Sequence, residues 1–156
     1  MRIFGKDKEQ IIVQLFRRGD ASAMDVLYAE YANYLTAICA RYIADDDDVR
    51  DVLQEAFIKI FTTIDSFDYR GAGSLKAWAS RIVINECLQW LRQQRRSPIG
   101  RMETDPPDLP DDDPETEELS SDEMTHLIRQ LPDGYRAVLN LYVVEGKSHK
   151  EIAQLL

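Results

Sequence analysis

The stretch DVRDVLQEAFIKIF, Asp48 to Phe61, decides the fold. Val49, Val52, Leu53, Ala56, Phe57, Ile60 and Phe61 recur at three- and four-residue intervals, and Ile64 continues the row. That period puts them on one face of a helix and leaves no two-residue alternation for a strand. Four acids, Asp45 to Asp48, open the segment and suit the positive end of a helix dipole. The opposite face carries Asp48, Asp51, Gln54, Glu55 and Ile58, again three or four apart. An isoleucine on an acidic outer face has two readings: a contact with a partner, or one exposed apolar residue of the ordinary kind.

Upstream, Ile11, Ile12, Leu15 and Phe16 predict a short amphipathic helix over 9–18. Asp20 can cap a longer one, with Met24, Leu27, Tyr28, Tyr31, Leu35, Ile38 and Tyr42 on its core face. Downstream, SFDYRGAGS is a loop with two glycines, and Ser74 can cap a fourth helix running to about Arg96. Then SPIGRMETDPPDLPDDDPETEELS breaks the period. From Glu103 to Glu123 there are 11 acids and no base, so the segment reads as an extended or disordered linker. Beyond it Met124, Leu127, Ile128 and Leu131 predict one short helix, ended by Pro132. Tyr135, Val138, Leu139 and Tyr142 predict the next, ended by Gly146. A third begins at Ser148, which has capping-box spacing with Glu151. The expected architecture is all-α: a four-helix domain over 1–97, an acidic proline-rich linker over 98–120, and a partial helical domain over 121–156.

The net charge of −9 argues, taken alone, against nucleic acid, but it is unevenly spread. The first 100 residues hold 14 bases and 14 acids, and the remainder hold 5 bases and 14 acids. From Arg70 to Arg101 seven bases face the single acid Glu86. On a helix Arg81, Asn85, Gln89, Arg92 and Arg96 fall within a sector of roughly 80°, and Val83, Ile84, Cys87, Leu88, Trp90 and Leu91 lie opposite. Cations bind phosphates and amides pair with base edges, so this stripe suits nucleic acid. Lys76, Arg70 and Arg95 add charge, and Phe67, Tyr69 and Trp78 are aromatics able to stack on an unpaired base. Trp78 is equally readable as core. The linker has the sign to lie against this stripe as an internal mimic of DNA, or it is simply solvated.

No phosphate-binding glycine loop, H-E-x-x-H or Glu-x-x-His pair is present, so no catalytic residues, metal ligands or cofactor are expected. Cys39 and Cys87 have no neighbouring Cys or His and read as reduced core thiols. The N-terminus has no signal core and no run approaches about 18 apolar residues, which predicts a soluble cytoplasmic protein without membrane insertion.

In this order the segments resemble an extracytoplasmic-function (ECF) sigma factor, the compact class of bacterial RNA polymerase specificity subunits. DVRDVLQEAFIKIF resembles the segment that docks on the clamp coiled coil of the polymerase β′ subunit. FDYRGAGSLKAWASRIVINECLQWLRQQRR resembles the segment that melts and recognises the −10 element. LPDGYRAVLNLYVVEGKSHKEIAQLL resembles the opening of the −35-binding helix-turn-helix domain. The resemblance implies core polymerase, its β subunit included, promoter DNA and an anti-sigma factor as partners. It makes Asp48, Asp51, Gln54, Glu55 and Ile58 the docking face. It places Phe67, Tyr69, Arg70, Ser74, Lys76, Trp78, Arg81, Asn85, Gln89, Arg92, Arg95 and Arg96 on the non-template strand, with the loop from Phe67 to Ser74 holding a flipped-out base. Ser148, Lys150 and Glu151 would belong to the helix-turn-helix. Its second helix would follow Leu156, so the chain is expected to be truncated there. Ile152, Leu155 and Leu156 should then pack on the N-terminal helices, on another molecule, or poorly. Two rival readings share part of this pattern: a helix-turn-helix regulator that does not dock polymerase, and a helical adaptor whose basic stripe meets an acidic protein.

Overall fold

Most of the helices begin where a side-chain oxygen accepts from their free amides. The computed structural model describes residues 7–96 and 120–156, and among them all regular structure is helical. Helix α1 (Lys8–Arg17) is capped by Asp7, whose carboxylate accepts from the Gln10 amide. Before α2 (Ala23–Tyr42), Asp20 accepts from both the amide and the hydroxyl of Ser22. Asp45 caps α3 (Asp46–Thr63) by accepting from the amides of Asp47 and Asp48 at 2.9 and 3.1 Å. A 3₁₀ turn (Ile64–Ser66) then leads into the loop before α4 (Ser74–Arg96). Beyond the linker come α5 (Ser121–Gln130), α6 (Asp133–Leu139), which runs on through a π-helical turn at Asn140–Val144, and α7 (His149–Leu155). Capping boxes start α5 (Ser120 with Glu123) and α7 (Ser148 with Glu151).

One hydrophobic core joins these elements. Leu27, Tyr31, Leu35, Ile38 and Tyr42 of α2 meet Val49, Val52, Ala56, Phe57 and Ile60 of α3. Leu75, Ala79, Val83, Cys87, Leu88 and Leu91 of α4 pack against both. Each large aliphatic side chain so buried contributes about 1.5–3 kcal/mol. Cys39 and Cys87 are free and buried with their sulfurs 3.5 Å apart. The hydrogen bond to Cys39, and then burial, push the Cys87 thiol far up, so it packs as an inert small hydrophobe.

Two expectations about core faces are corrected. Met24 and Tyr28 are exposed, because the buried stripe of α2 runs through Ala23 and Leu27, about 100° to one side. Tyr28 still lays its ring against Phe57, with centroids 5.1 Å apart. In the C-terminal unit Met124, Leu127, Tyr135, Val138 and Tyr142 are exposed, and Arg136, Ala137, Asn140 and Leu141 turn inward instead. The reason lies at the end of α2, whose last carbonyls have no partner within their own helix. Arg136, 2% exposed, donates from Nη1 to the Tyr42 carbonyl at 2.9 Å and from Nη2 to the Leu131 carbonyl at 2.8 Å. Both nitrogens also bond Asp133 at 2.9 Å, which balances the buried charge. Asn140 donates to the Arg41 carbonyl at 2.6 Å, and Arg129 to the Ala44 carbonyl at 2.6 Å.

These bonds dock the C-terminal unit on the end of α2. Ile152 is buried in the shared core, and Leu155 and Leu156 pack partly against it. Leu155 also lines a groove with Tyr34, Ile38 and Ala77, so the apolar end of the chain meets the N-terminal helices. The acidic linker, and with it the idea of an internal DNA mimic, falls outside the described residues.

Two outcomes follow for stability. Arg136→Ala strands the Tyr42 and Leu131 carbonyls and should cost about 3 kcal/mol of docking. Hydrogen exchange should show faster exchange over 120–156 with α2–α4 still protected; uniform protection would contradict the clamp. The buried Tyr42 hydroxyl has no hydrogen-bond partner among the described residues, and burial pushes it up. Tyr42→Phe should therefore raise stability by about 1 kcal/mol in urea unfolding, and a loss of that size would mean the hydroxyl is satisfied.

Candidate nucleic-acid interface and docking face

Helix α3 buries one face in the core and leaves the other in solvent. Asp51, Gln54, Glu55 and Ile58 are all exposed, Ile58 at 48%, and Asp48 is partly covered. They divide over two shallow grooves. Gln54 and Ile58 line one with Tyr28, Phe57 and Phe61, where α3 meets α2. Asp51 and Glu55 line the other with Lys59, Gln89 and Trp90, where α3 meets α4. Partial burial, followed by repulsion from Asp45, Asp51 and Asp47, holds the Asp48 carboxyl above its ordinary value. A surface whose acids repel one another gains from a basic partner. The apolar neighbours of Ile58 add a surface that a side chain can fill.

Helix α4 offers the second exposed face. Arg81, Asn85, Gln89 and Arg92 are all exposed, as the period requires. Arg81 and Asn85 open on a groove of about 640 Å³ together with Tyr34, Arg41 and Ser80. Its far wall is the C-terminal unit, through Leu141, Val144, Glu145, Lys147 and Leu155. Gln89 turns away from this groove to the α3 side. Arg95 and Arg96 fall in the last turn of α4, and their side chains lie outside the described residues. Lys76 is exposed and holds its ammonium 3.9 Å above the Tyr34 ring.

The loop before α4 is held rather than open. Phe67 is buried, with its ring centroid 5.0 Å from that of Trp78. Both aromatics pack on the core, so Phe67 is not a free stacking surface and Trp78 is mostly a core residue. The 3₁₀ turn brings Phe67 back onto the first turns of α4, a consequence of chain direction that periodicity does not report. Tyr69 is partly buried, and its hydroxyl donates to Asp7. That bond raises the Tyr69 phenol to about 12 and lowers the Asp7 carboxyl. Ser74 does not cap α4. Its hydroxyl accepts from the Arg70 amide and donates to the Gly71 carbonyl, closing the loop on itself. Arg70 is exposed beside Asp68.

The residue that caps α4 instead comes from α1, and sequence reasoning missed it. Glu9, 8% exposed, accepts from the amides of Gly73 at 2.9 Å, Leu75 at 3.2 Å and Lys76 at 3.1 Å. Tyr34 and Arg41 were missed as well. They stand on the exposed side of α2, and only the packing of α2 against α4 brings them beside Arg81. In the C-terminal unit Ser148 and Glu151 cap α7, while Lys150 is exposed. Among the described residues no group of His, Cys, Asp or Glu could hold a metal ion, and no helix is long and apolar enough to cross a membrane.

Comparison with known proteins identifies the family. The family described as Sigma-70 region 2 matches residues 27–97, and that described as Sigma-70, region 4 matches residues 121–156. The chain is 31% identical to the ECF RNA polymerase sigma-E factor of Haemophilus influenzae, over 95% of this chain and 83% of that protein. It is 29% identical to the RNA polymerase sigma-H factor of Pseudomonas aeruginosa, over 97% and 83%. It is also 29% identical to the sigma-E factor of Escherichia coli, over 95% and 82%. With both sigma regions in order and a relative 31% identical over most of both chains, the chain belongs to the ECF sigma factors, which direct RNA polymerase in the initiation of transcription.

Proposed function

We propose that this factor docks core polymerase through the exposed face of α3 and reads the −10 element with α4 and the loop before it. One observation carries the reading: α3 and α4 pack against each other while each keeps a free face of opposite character. Asp48, Asp51, Gln54, Glu55 and Ile58 meet the clamp coiled coil of the β′ subunit, a helical partner able to bring bases to the acids and an apolar side chain to Ile58. Arg81 and Arg92 take phosphates of the non-template strand, and Asn85 pairs with a base edge. Lys76 and Arg70 add charge near the loop, while Gln89 lies at the seam between the two faces. Arg95 and Arg96 extend the basic end.

Opening is thermodynamic rather than covalent, because contacts available only to an unstacked base offset the cost of removing it from the duplex. Polymerase performs the chemistry. Residues 1–97 form the unit that docks and melts, 98–120 the connection, and 121–156 a unit acting at the −35 element and toward the β subunit. An anti-sigma factor would act by covering either free face. Polymerase and promoter DNA place all of this in the cytoplasm.

Two measurements test the reading. Pull-down of bacterial core polymerase should succeed with the wild type and fail with Asp51→Arg/Ile58→Glu at unchanged helicity. Capture of both proteins alike would remove α3 as the docking face. For α4, the holoenzyme is titrated onto a fluorescein-labelled single-stranded promoter oligonucleotide at several salt concentrations. Arg81→Ala should flatten the slope of log affinity against log salt by about 0.7, the value for one phosphate on a single strand. An unchanged slope would take Arg81 out of the interface.

A further inference from the structure

The loop from Phe67 to Ser74 has glycine at two positions where the backbone turns left-handed, with φ of +113° at Gly71 and +88° at Gly73. Such a loop has many accessible shapes. A loop that selects one base must keep one shape, since a misplacement of about 1 Å already degrades recognition. Within the loop, the Ser74 hydroxyl closes the turn and Phe67 anchors one end against Trp78. Further restraints come from α1 and its cap Asp7, more than sixty residues earlier in the chain.

Those restraints are two carboxylates. Glu9 holds the C-terminal side of the loop. One of its oxygens accepts from the amides of Gly73 and Leu75, and the other accepts from Lys76. Asp7 holds the N-terminal side through the Tyr69 hydroxyl. Only Arg70, Gly71 and Ala72 are left between the two anchors, and of these Arg70 and Ala72 are exposed. A buried carboxylate with three amides is the strong form of a helix cap, because the acceptor is charged and faces the positive end of a 23-residue helix.

We infer that Glu9 is a positioning residue for promoter recognition: its carboxylate, bridging the Gly73, Leu75 and Lys76 amides, fixes the shape of the loop that selects a −10 base. It touches no DNA. It acts through the backbone that presents the loop and sets the direction in which α4 leaves it. This rests on the reading of α4 and its loop as the −10 reader. Glutamine has the same length but only one acceptor oxygen, and its NH₂ group faces amide donors. Glu9→Gln therefore loses at least one of the three bonds and leaves the loop mobile.

The test uses holoenzyme and a pool of single-stranded oligonucleotides randomised over six positions, with the retained sequences counted. Wild type, Glu9→Gln, Gly73→Ala and Asn85→Ala are compared, along with their core affinities. Glu9→Gln should flatten the preference at one position by about tenfold, the worth of one charge-assisted hydrogen bond. The position governed by Asn85 should keep its preference. Gly73→Ala strains the same loop with Glu9 in place and should flatten that same position, so the inference stays testable even if Glu9→Gln folds poorly. Retention reduced equally for every sequence in both loop variants would make Glu9 merely structural and overturn the inference, while Asn85→Ala still altered its own position. A profile unmoved by Asn85→Ala as well would overturn the reading of α4 and this inference with it.

Discussion

A helix end that is buried leaves backbone groups that must find partners elsewhere. Two such ends set the geometry of this sigma factor. At the start of α4 the amides of Gly73, Leu75 and Lys76 converge on Glu9, which ties α1 to the loop and fixes where the basic helix begins. At the end of α2 the carbonyls of Arg41 and Tyr42 receive Asn140 and Arg136, which tie the C-terminal unit to the bundle. In both places a polar side chain that periodicity assigns to the surface is drawn into the interior by unpaired backbone. The cost of burying its charge is offset locally, by three amides around Glu9 and by Asp133 beside Arg136.

Local regularities were legible in the sequence, and long-range pairings were not. The face of α3 followed directly from spacing, because a helix packed on one side exposes whatever stands opposite its apolar row. The capping box of α7 and the exposure of Arg81, Asn85, Gln89 and Arg92 followed for the same reason. The roles of Glu9 and Arg136 depend on groups more than sixty and ninety residues away, and no window along the chain contains both partners. Phe67 was misjudged because a loop aromatic is free only if the chain does not fold it back, and the turn at Ile64–Ser66 does so. Tyr135, Val138 and Tyr142 misled in the opposite sense. An apolar row normally claims the core, yet the carbonyls of α2 claimed the neighbouring face of α6 for Arg136 and Asn140.

The exposed faces of α3 and α4 are different electrostatic problems. On α3 the acids are crowded enough that Asp48 is held above its ordinary value, so bringing up a basic helix relieves repulsion as well as adding attraction. On α4 Lys76, Arg81 and Arg92 are exposed and spread along the helix, which suits a polyanion whose charges repeat along a strand. Packing α3 against α4 lets each face modify the other only at their seam, where Lys59 of α3 pairs with Glu86 of α4. Glu86 is the only acid on α4, and this pairing balances its charge.

The groove at Arg81 and Asn85 has a mixed far wall, with Glu145, Lys147 and the apolar side chain of Leu155 from the C-terminal unit. A phosphate strand laid in this groove meets Arg41 and Arg81 on one side and Glu145 on the other. The carboxylate opposes the strand, and Leu155 loses its cover if the wall withdraws. Under the proposed reading the free factor and the DNA-bound factor therefore differ in where the C-terminal unit sits. The bonds from Arg136 and Asn140 to the end of α2 are the ones that must be exchanged for contacts with promoter and polymerase. Those bonds run to backbone carbonyls, which water can satisfy once the unit moves away. The clamp is thus strong while dry and inexpensive to release once wetted, which the proposed reading requires.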